Sequence, residues 1–240
     1  GIAKAALSAN AKIYENSTVL SYELSNSHVK VNTKEGSVKA ERVVLACNGY
    51  LGNLEKRLNS KILPMNNYIV ATKPLDNETV AKINPRDIAF ADSRFVINYF
   101  RLSADKRLLF GGGENYSQEL SNNIIPIVTK PLEKIYPFLK GVKIDYAWGG
   151  KLAITMNRLP FFKEMNKGKV LSAQGYSGQG VALASYAGKV ITEKITGDGE
   201  IFDTMANIPM QSFPGGRFLR NPTIKVGMFY HALLDQSLML

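Results

Sequence analysis

The spacing of apolar residues changes several times along this chain, and each change predicts a different element. Residues 1–9 place Ile2, Ala5, Ala6 and Ala9 at i, i+3, i+4 and i+7 among strong helix formers, which predicts a helix stopped at Asn10. Strand patterns follow at 12–24, 28–33 and 37–46, with a turn at Glu35-Gly36. In the second of them Val29 and Val31 alternate with polar neighbours, the mark of a strand with one solvated face. The third ends in Val43-Val44-Leu45-Ala46, a continuous apolar run that suits a parallel strand covered on both faces. Cys47-Asn48-Gly49-Tyr50 comes directly after it, where an α/β sheet presents its loops to a ligand.

Between 61 and 150 the texture changes. Residues 62–71, 95–102 and 107–112 read as strands, the last running into Gly111-Gly112-Gly113. A helix is predicted over 122–136, with Ile124, Ile125, Val128, Leu132 and Ile135 as its apolar stripe and Pro137 at its end. Pro126 and Pro131 lie inside it and leave open a break or an early start. Residues 142–148 give a further strand, so the block reads as an α+β unit with a mixed or antiparallel sheet. The final stretch returns to an α/β style. A strand at 169–173 leads through Gln174-Gly175-Tyr176-Ser177-Gly178-Gln179-Gly180 into a helix over 181–195. Leu183, Ala184, Ala187, Val190, Ile191 and Ile195 line one side of that helix, and Gly197 and Gly199 lie past its end. No internal repeat is visible. The fold class is therefore α/β plus α+β, with the chain divided at 1–60, 61–150 and 151–240.

A content of 45% hydrophobic and 21% charged residues excludes disorder and low-complexity architectures. One cysteine, Cys47, excludes an intrachain disulfide framework and any all-cysteine metal site. No apolar run nears the roughly 18 residues of a membrane span, and no secretory signal opens the chain, so a reducing cytoplasmic setting is expected. Gly1 rather than Met opens the chain inside a helical pattern, which reads as a chain whose N-terminal part is missing. Thirty basic against twenty acidic residues give a net charge of +10. The lysines are spread along the sequence without a run of five or six. That predicts a solvated basic surface and no nucleic-acid partner, while remaining compatible with an anionic cofactor.

The strongest local signal is strand, then Gly-Tyr-Ser-Gly-Gln-Gly, then helix. Gly175, Gly178 and Gly180 let backbone approach a flat or anionic ligand, and the helix beyond them offers unpaired amides and its positive dipole end. The same glycines also suit a tight turn with a packing role alone. The Gly-x-Gly-x-x-Gly order of the dinucleotide fingerprint is absent from the sequence.

From Trp148 onward the chain resembles the flavoprotein amine and amino-acid oxidases of the D-amino-acid-oxidase superfamily, and within it the γ-glutamylputrescine oxidase group. The residues that carry the resemblance are Trp148-Gly149-Gly150, Leu152-Ala153-Ile154-Thr155, Arg158-Leu159-Pro160, the segment from Gln174 to Val181, Ala187-Gly188-Lys189 and Phe213-Pro214-Gly215-Gly216. Residues 43–50, Ala71-Thr72-Lys73-Pro74, Tyr99-Phe100-Arg101-Leu102-Ser103 and 108–114 fit the same group in order, so the resemblance covers nearly the whole chain.

The resemblance implies FAD as cofactor, on a Rossmann-like half (1–60 and 151–240) with a substrate domain (61–150) against the flavin ring. It puts the missing dinucleotide fingerprint in a segment ahead of Gly1, without which these residues would bind FAD poorly and be inactive. It matches Val19 to the strand that meets the adenine, and Ala46, Cys47 and Asn48 to the loop under the pyrophosphate and ribose. Gly175, Tyr176, Ser177, Gly178, Gln179, Gly180 and Val181 match the segment over the pyrimidine edge of the ring. A helix end and backbone amides there would stabilise the negative charge of the reduced flavin.

The implied reaction is hydride transfer to the flavin from the carbon bearing an amine, with oxygen or a quinone as final acceptor. The products are an aldehyde, ammonia and, with oxygen, hydrogen peroxide. The flavin carries this chemistry, so neither a catalytic triad nor a metal is required. In the amino-acid oxidases of the superfamily an arginine holds the substrate carboxylate in a planar fork. Leu152 stands at that position here, which favours an amine substrate. Lys151 beside it would point to the other face of a strand. Arg101 is a candidate for a distal carboxylate, and Tyr99 and Trp148 for the walls on the substrate side, although an interstrand salt bridge and core packing also suit them. A D-amino-acid dehydrogenase or a glycine/sarcosine-type oxidase is the alternative enzyme, and a non-catalytic basic binding protein the alternative outside catalysis. His28 is expected to face solvent and His231 to be an ordinary helix residue.

Overall fold

Alternating apolar positions place the strands in three sheets, which with six α-helices organise residues 1–94, 97–115 and 119–214, the part that the computed structural model describes. Phe95, Val96, Gly215, Gly216 and His231 lie outside it. Helix α1 (Ile2–Ser8) ends before Asn10, which adopts a left-handed φ of 64°. Strands β1 (Val19–Leu24), β2 (Val29–Thr33) and β3 (Ser37–Ala40) form an antiparallel meander. The strand expected over 12–24 thus begins only at Val19, because turns at Glu15-Asn16 occupy the preceding residues. The segment expected as one strand at 37–46 is two. The exposed Glu41 and Arg42 carry the chain out of the meander, and β4 (Val43–Leu45) enters a different sheet.

After β4 comes a single 3₁₀ turn, Asn48–Tyr50, and the short helix α2 (Lys56–Asn59), capped by the Glu55 carboxylate on the Arg57 amide. The same Glu55 accepts from the Tyr22 hydroxyl at 2.7 Å, tying the meander to α2. Burial and that carboxylate push the Tyr22 phenol far above its usual range. Strand β5 (Leu63–Thr72), helix α3 (Asn77–Ile83), strands β6 (Phe90–Ala91), β7 (Tyr99–Leu102) and β8 (Leu108–Asn115), helix α4 (Ile125–Ile135) and strand β9 (Ile144–Ile154) follow. These strands make an antiparallel sheet in the order β6-β7-β8-β5-β9. Pro126 sits in the first turn of α4, where it costs no hydrogen bond, and Pro131 is accommodated within the helix.

Directly paired residues of an antiparallel ladder share a face, so the register of this sheet assigns its two sides. One side carries Tyr68, Val70, Leu102, Leu108 and Phe110, packed against Val128 and Leu132 of α4 in the largest buried cluster. Phe90, Phe100 and Phe110 stack across three strands on this side, with centroids 5.2 and 5.4 Å apart. The expected stripe of α4 is correct at Val128 and Leu132. Ile125 and Ile135, 44% and 37% exposed, lie on its flank.

The second half of the chain adds a hairpin of β10 (Phe161–Met165) and β11 (Val170–Gln174), then helices α5 (Gly180–Thr196) and α6 (Glu200–Ala206). Strand β4 runs parallel to β11, as its apolar run predicts. Only one of its faces is covered, since Val44 is 39% exposed while Leu45 is buried. Ala187, Val190 and Ile191 of α5 pack on Leu171 and Ala173 of β11, together with Phe202 of α6. Gly197, with φ 111°, closes α5 in the left-handed conformation that glycine adopts without strain. The residue division drawn at 150 falls inside β9, which runs unbroken from the five-stranded sheet toward the hairpin layer.

Candidate functional site

Two loops that are far apart in sequence meet at the outer edge of β9. The first is 46–50, left by β4; the second is 174–181, left by its parallel partner β11. An edge strand has backbone groups pointing outward without a ladder partner. Here the Lys151 amide donates to the Tyr50 hydroxyl at 3.0 Å, and the Ala153 carbonyl accepts from the Ser177 amide at 2.9 Å. The Thr155 amide donates to Ser177 Oγ at 3.3 Å, and the Thr155 hydroxyl to the Leu159 carbonyl at 2.8 Å. Gly49 lies so close to this edge that a Cβ on it would stand 2.8 Å from the Lys151 carbonyl oxygen.

A further bond joins the loops to each other: the Gly175 amide donates to Asn48 Oδ1 at 3.1 Å. Gly175 has φ 75°, and a Cβ there would meet the Thr155 methyl at 2.5 Å, so both conformation and space require glycine. Ser177 and Gly178 continue in the left-handed region, at 50° and 95°. Tyr176 turns inward, buried, and donates its hydroxyl to the Ala173 carbonyl at 2.9 Å; burial pushes its phenol up. Gln179 occupies the N-cap of α5 without any side-chain cap, which leaves the first-turn amides facing outward. Val181, in that first turn, is 97% exposed, and a Cβ on Gly178 would meet nothing within 4 Å. Gln174, the last residue of β11, is fully buried, and neither polar atom of its amide has a hydrogen-bond partner among the described residues. The loop therefore offers donors, open space and an unsatisfied amide, features that fit a flat, polar, anionic group lying across it.

Of the residues singled out from sequence, Ala46, Cys47, Asn48 and the whole segment from Gly175 to Val181 are brought together here. Val19 is not joined to them by any hydrogen bond among the described residues; it opens β1 and is 38% exposed. Cys47 is half-buried, and burial pushes its thiol up. His28 is also half-buried and bonds the Ser25 and Ser27 hydroxyls at 2.9 and 3.0 Å, so it does not simply face solvent.

Tyr99, Arg101 and Trp148 share the side of the five-stranded sheet opposite α4. Tyr99 pairs with Gly111, Gly111 with Ile69 and Ile69 with Trp148, forming one row across four strands. The next row is Arg101, Leu109, Ala71 and Tyr146. Trp148 is 44% exposed and Tyr146 59%, so the face is open at that end. Tyr99 lies flat over Gly111, where a Cβ would stand 2.2 Å from its ring, and its hydroxyl donates to Asn67 of β5. Arg101 is exposed and donates Nε to the Leu102 carbonyl at 3.2 Å, and no salt bridge among the described residues includes it. Among the described residues the interstrand ion pair considered from sequence is thus not formed. Leu152 takes this open side beside Met65, and Lys151 the opposite one, as strand parity predicts.

Comparison with known proteins adds an independent line. A family model described as FAD dependent oxidoreductase, DAO, matches residues 1–194. A probable oxidoreductase OrdL of Rhizobium meliloti is 39% identical over 236 residues, 98% of this chain and 54% of its own length. The γ-glutamylputrescine oxidoreductase of Escherichia coli is 37% identical over 226 residues, 94% of this chain and 53% of its own length. The chain thus spans about half the length of these relatives. Among solved structures, glycine oxidase from Bacillus cereus superposes with a TM-score of 0.68 at 20% identity, covering 88% of this chain and 58% of that one. L-proline dehydrogenase from P. horikoshii gives 0.62 at 24% identity, covering 86% and 55%. At these identities the structural likeness speaks for the fold.

Two outcomes follow for the loops. Asn48→Ala leaves the Gly175 amide without its acceptor and lowers stability by about 1–3 kcal/mol, measured by urea unfolding; a value near zero would show that the clasp is dispensable. Cys47, held neutral by its surroundings, is alkylated slowly by iodoacetamide at pH 7–8, and its rate climbs only beyond the usual thiol range near about 8.5. Mass spectrometry across that range reads it out, and fast labelling at pH 7 would contradict the assignment.

Proposed function

This chain belongs to the FAD-dependent oxidoreductase family, and we propose that it oxidises an amine whose reacting end is joined by an alkyl segment to a distal acidic group, of the γ-glutamylputrescine type. Residues 1–60 and 151–240 form the FAD-holding part in this reading, and 61–150 the substrate part. The observation that carries it is the make-up of the open sheet face. That face is apolar at Met65, Leu152 and Ile154 beside the two loops and aromatic at Tyr99 and Trp148. Arg101 is its one charged side chain at the paired positions of the ladder. An α-amino acid needs a cation next to the reacting carbon, whereas the cations near this face stand past the aromatic row: Arg101 two strands away from β5, and Arg107, ion-paired to Asp145, over the Tyr146 ring.

When bound, FAD supplies the two-electron acceptor. The first-turn amides of α5 and the backbone of Gly178 and Gly180 would hold its anionic and carbonyl oxygens, and the exposed Val181 would cover its edge. A helix end contributes about 0.3–2 kcal/mol by itself, so the amides act as a set. Asn48 keeps the second loop in place through Gly175, while Ala46 and Cys47 supply the neighbouring backbone. Tyr99 and Trp148 flank the substrate and exclude water, which keeps the amine neutral and oriented. Arg101 binds the distal carboxylate with a charge-assisted fork. Residues 1–240 alone are expected to retain FAD weakly, since no Gly-x-Gly-x-x-Gly loop is among them.

The decisive experiment uses protein from the full-length reading frame, freed of oxygen and mixed with γ-glutamylputrescine. Bleaching of the flavin band, with recovery and peroxide on admitting air, is the expected result. Arg101→Met then raises KM for this substrate roughly 10- to 100-fold, the range of about 1.5–3 kcal/mol for a charged hydrogen bond, and leaves plain diamines unaffected. Bleaching by an amino acid but by no amine moves the assignment to the amino-acid oxidases, and a protein without a flavin band withdraws it.

A further inference from the structure

We propose that Phe213 is a specificity-determining residue. With Leu152 it closes the loop-side end of the open sheet face, so that the substrate portion seated there is an uncharged alkyl segment of limited length. This rests on the reading of that face as the substrate side.

The placement comes from register. Leu63 pairs with Ile154 and Met65 with Leu152, which puts all four on the side of Asn67, Gly150 and Trp148. Phe213, which follows α6, packs onto these four in one apolar cluster. Its position is fixed through the backbone. The Phe213 amide donates to the Ser60 carbonyl at 3.2 Å, and the Lys61 ammonium donates to the Met210 carbonyl at 2.8 Å, binding the segment 207–213 down at the end of α2. Under the ring, Leu63, Met65 and Ile154 are 5–7% exposed, while Leu152 is only partly buried at its rim. The ring therefore ends the open surface at Leu152, the part of this face nearest the loops at 46–50 and 174–181.

That boundary has a chemical meaning. A charged group placed against Leu152 and Phe213 would lose water without gaining a partner, because every side chain of the cluster is apolar. An alkyl chain gains contact there, at roughly fourfold per methylene buried. A stop also sets a length, since a methylene too many meets the Phe213 ring.

The test uses the FAD-loaded protein from the full-length reading frame and a series of straight-chain n-alkylamines of increasing length, whose uncharged ends reach the cluster. The wild type should show a kcat/KM optimum at one length. Phe213→Ala should move that optimum longer by one or two methylenes, Phe213→Leu should restore it, and flavin content should stay unchanged. Leu152→Ala, at the partly buried rim, repeats the test should Phe213→Ala fail to fold. A loss that is equal at every length, or an unmoved optimum, overturns the inference and leaves Phe213 with a packing role. If no amine reduces the wild type, the amine reading fails separately. Perturbation of the flavin band by alkylammonium ions of graded length then reads the same site by binding, and a length profile unaltered by Phe213→Ala or Leu152→Ala again overturns it.

Discussion

The outward-facing backbone of β9 is the constraint on which the rest of the site depends. An edge strand must find partners for its N–H and C=O groups or leave them to water. From Lys151 to Thr155 those partners are Tyr50 and Ser177, each from one of the two loops. A single such bond is worth about 1 kcal/mol net, but leaving a buried group unpaired costs about 1–3 kcal/mol. Both loops are thereby fixed against the same few residues. The Asn48–Gly175 bond makes the arrangement reciprocal, since neither loop can move without stripping the other. The glycine positions follow from this docking: Gly49 must approach the carbonyls of β9, and Gly175 must pass the Thr155 methyl.

The same strand also belongs to a sheet with two unlike sides. On one, α4 and the stacked phenylalanines remove the sheet from water and hold it stiff. On the other no helix among the described residues is laid, and burial falls along β9 from Ile154 at 7% to Tyr146 at 59% exposed. A sheet with one face left open by the described residues, joined at its edge to a loop with outward amides, brings an apolar and aromatic surface next to a helix N-terminus. The family to which the chain belongs uses FAD, and here one continuous strand, β9, connects the open sheet face to the loop that precedes α5.

Much of this arrangement was legible in the sequence. The parallel strand in Val43-Val44-Leu45 and the glycine loop before α5 declared themselves by local pattern, because a short continuous apolar run and closely spaced glycines each serve few structural purposes. Strand parity alone separated Leu152 from Lys151. What could not be read were partnerships across long separations. Nothing local distinguishes Asn48 as the acceptor for Gly175, or Asn67 as the acceptor for Tyr99. Phe213 was noted only as part of a resemblance, and its packing on Leu63 and Ile154 depends on how α6 returns the chain. The hairpin strand β10 had a readable signal in Phe161-Phe162-Lys163-Glu164-Met165 before Asn166-Lys167-Gly168, whose φ values of 55°, 54° and 81° make a tight turn.

Gly111-Gly112-Gly113 shows how the same residue type can serve a surface rather than a ligand loop. A run of glycines suggests a phosphate cradle, yet these three lie in the interior of β8. Each excludes a side chain for a different neighbour. A Cβ on Gly111 would enter the Tyr99 ring, one on Gly112 would stand 2.8 Å from Asn98 Oδ1, and one on Gly113 2.5 Å from the Ile127 methyl of α4. Gly112 and Gly113 thus let the buried layer close, and Gly111 makes a trough on the open side. The Tyr99 ring can lie along that trough and reach Asn67 on the strand beyond. Any side chain at 111 would lift the ring off the sheet and take its hydroxyl from Asn67. The open face keeps its low, aromatic floor because β8 gives up its own side chain there, a cost in strand propensity that is offset by the Phe110 and Leu108 packing on its other side.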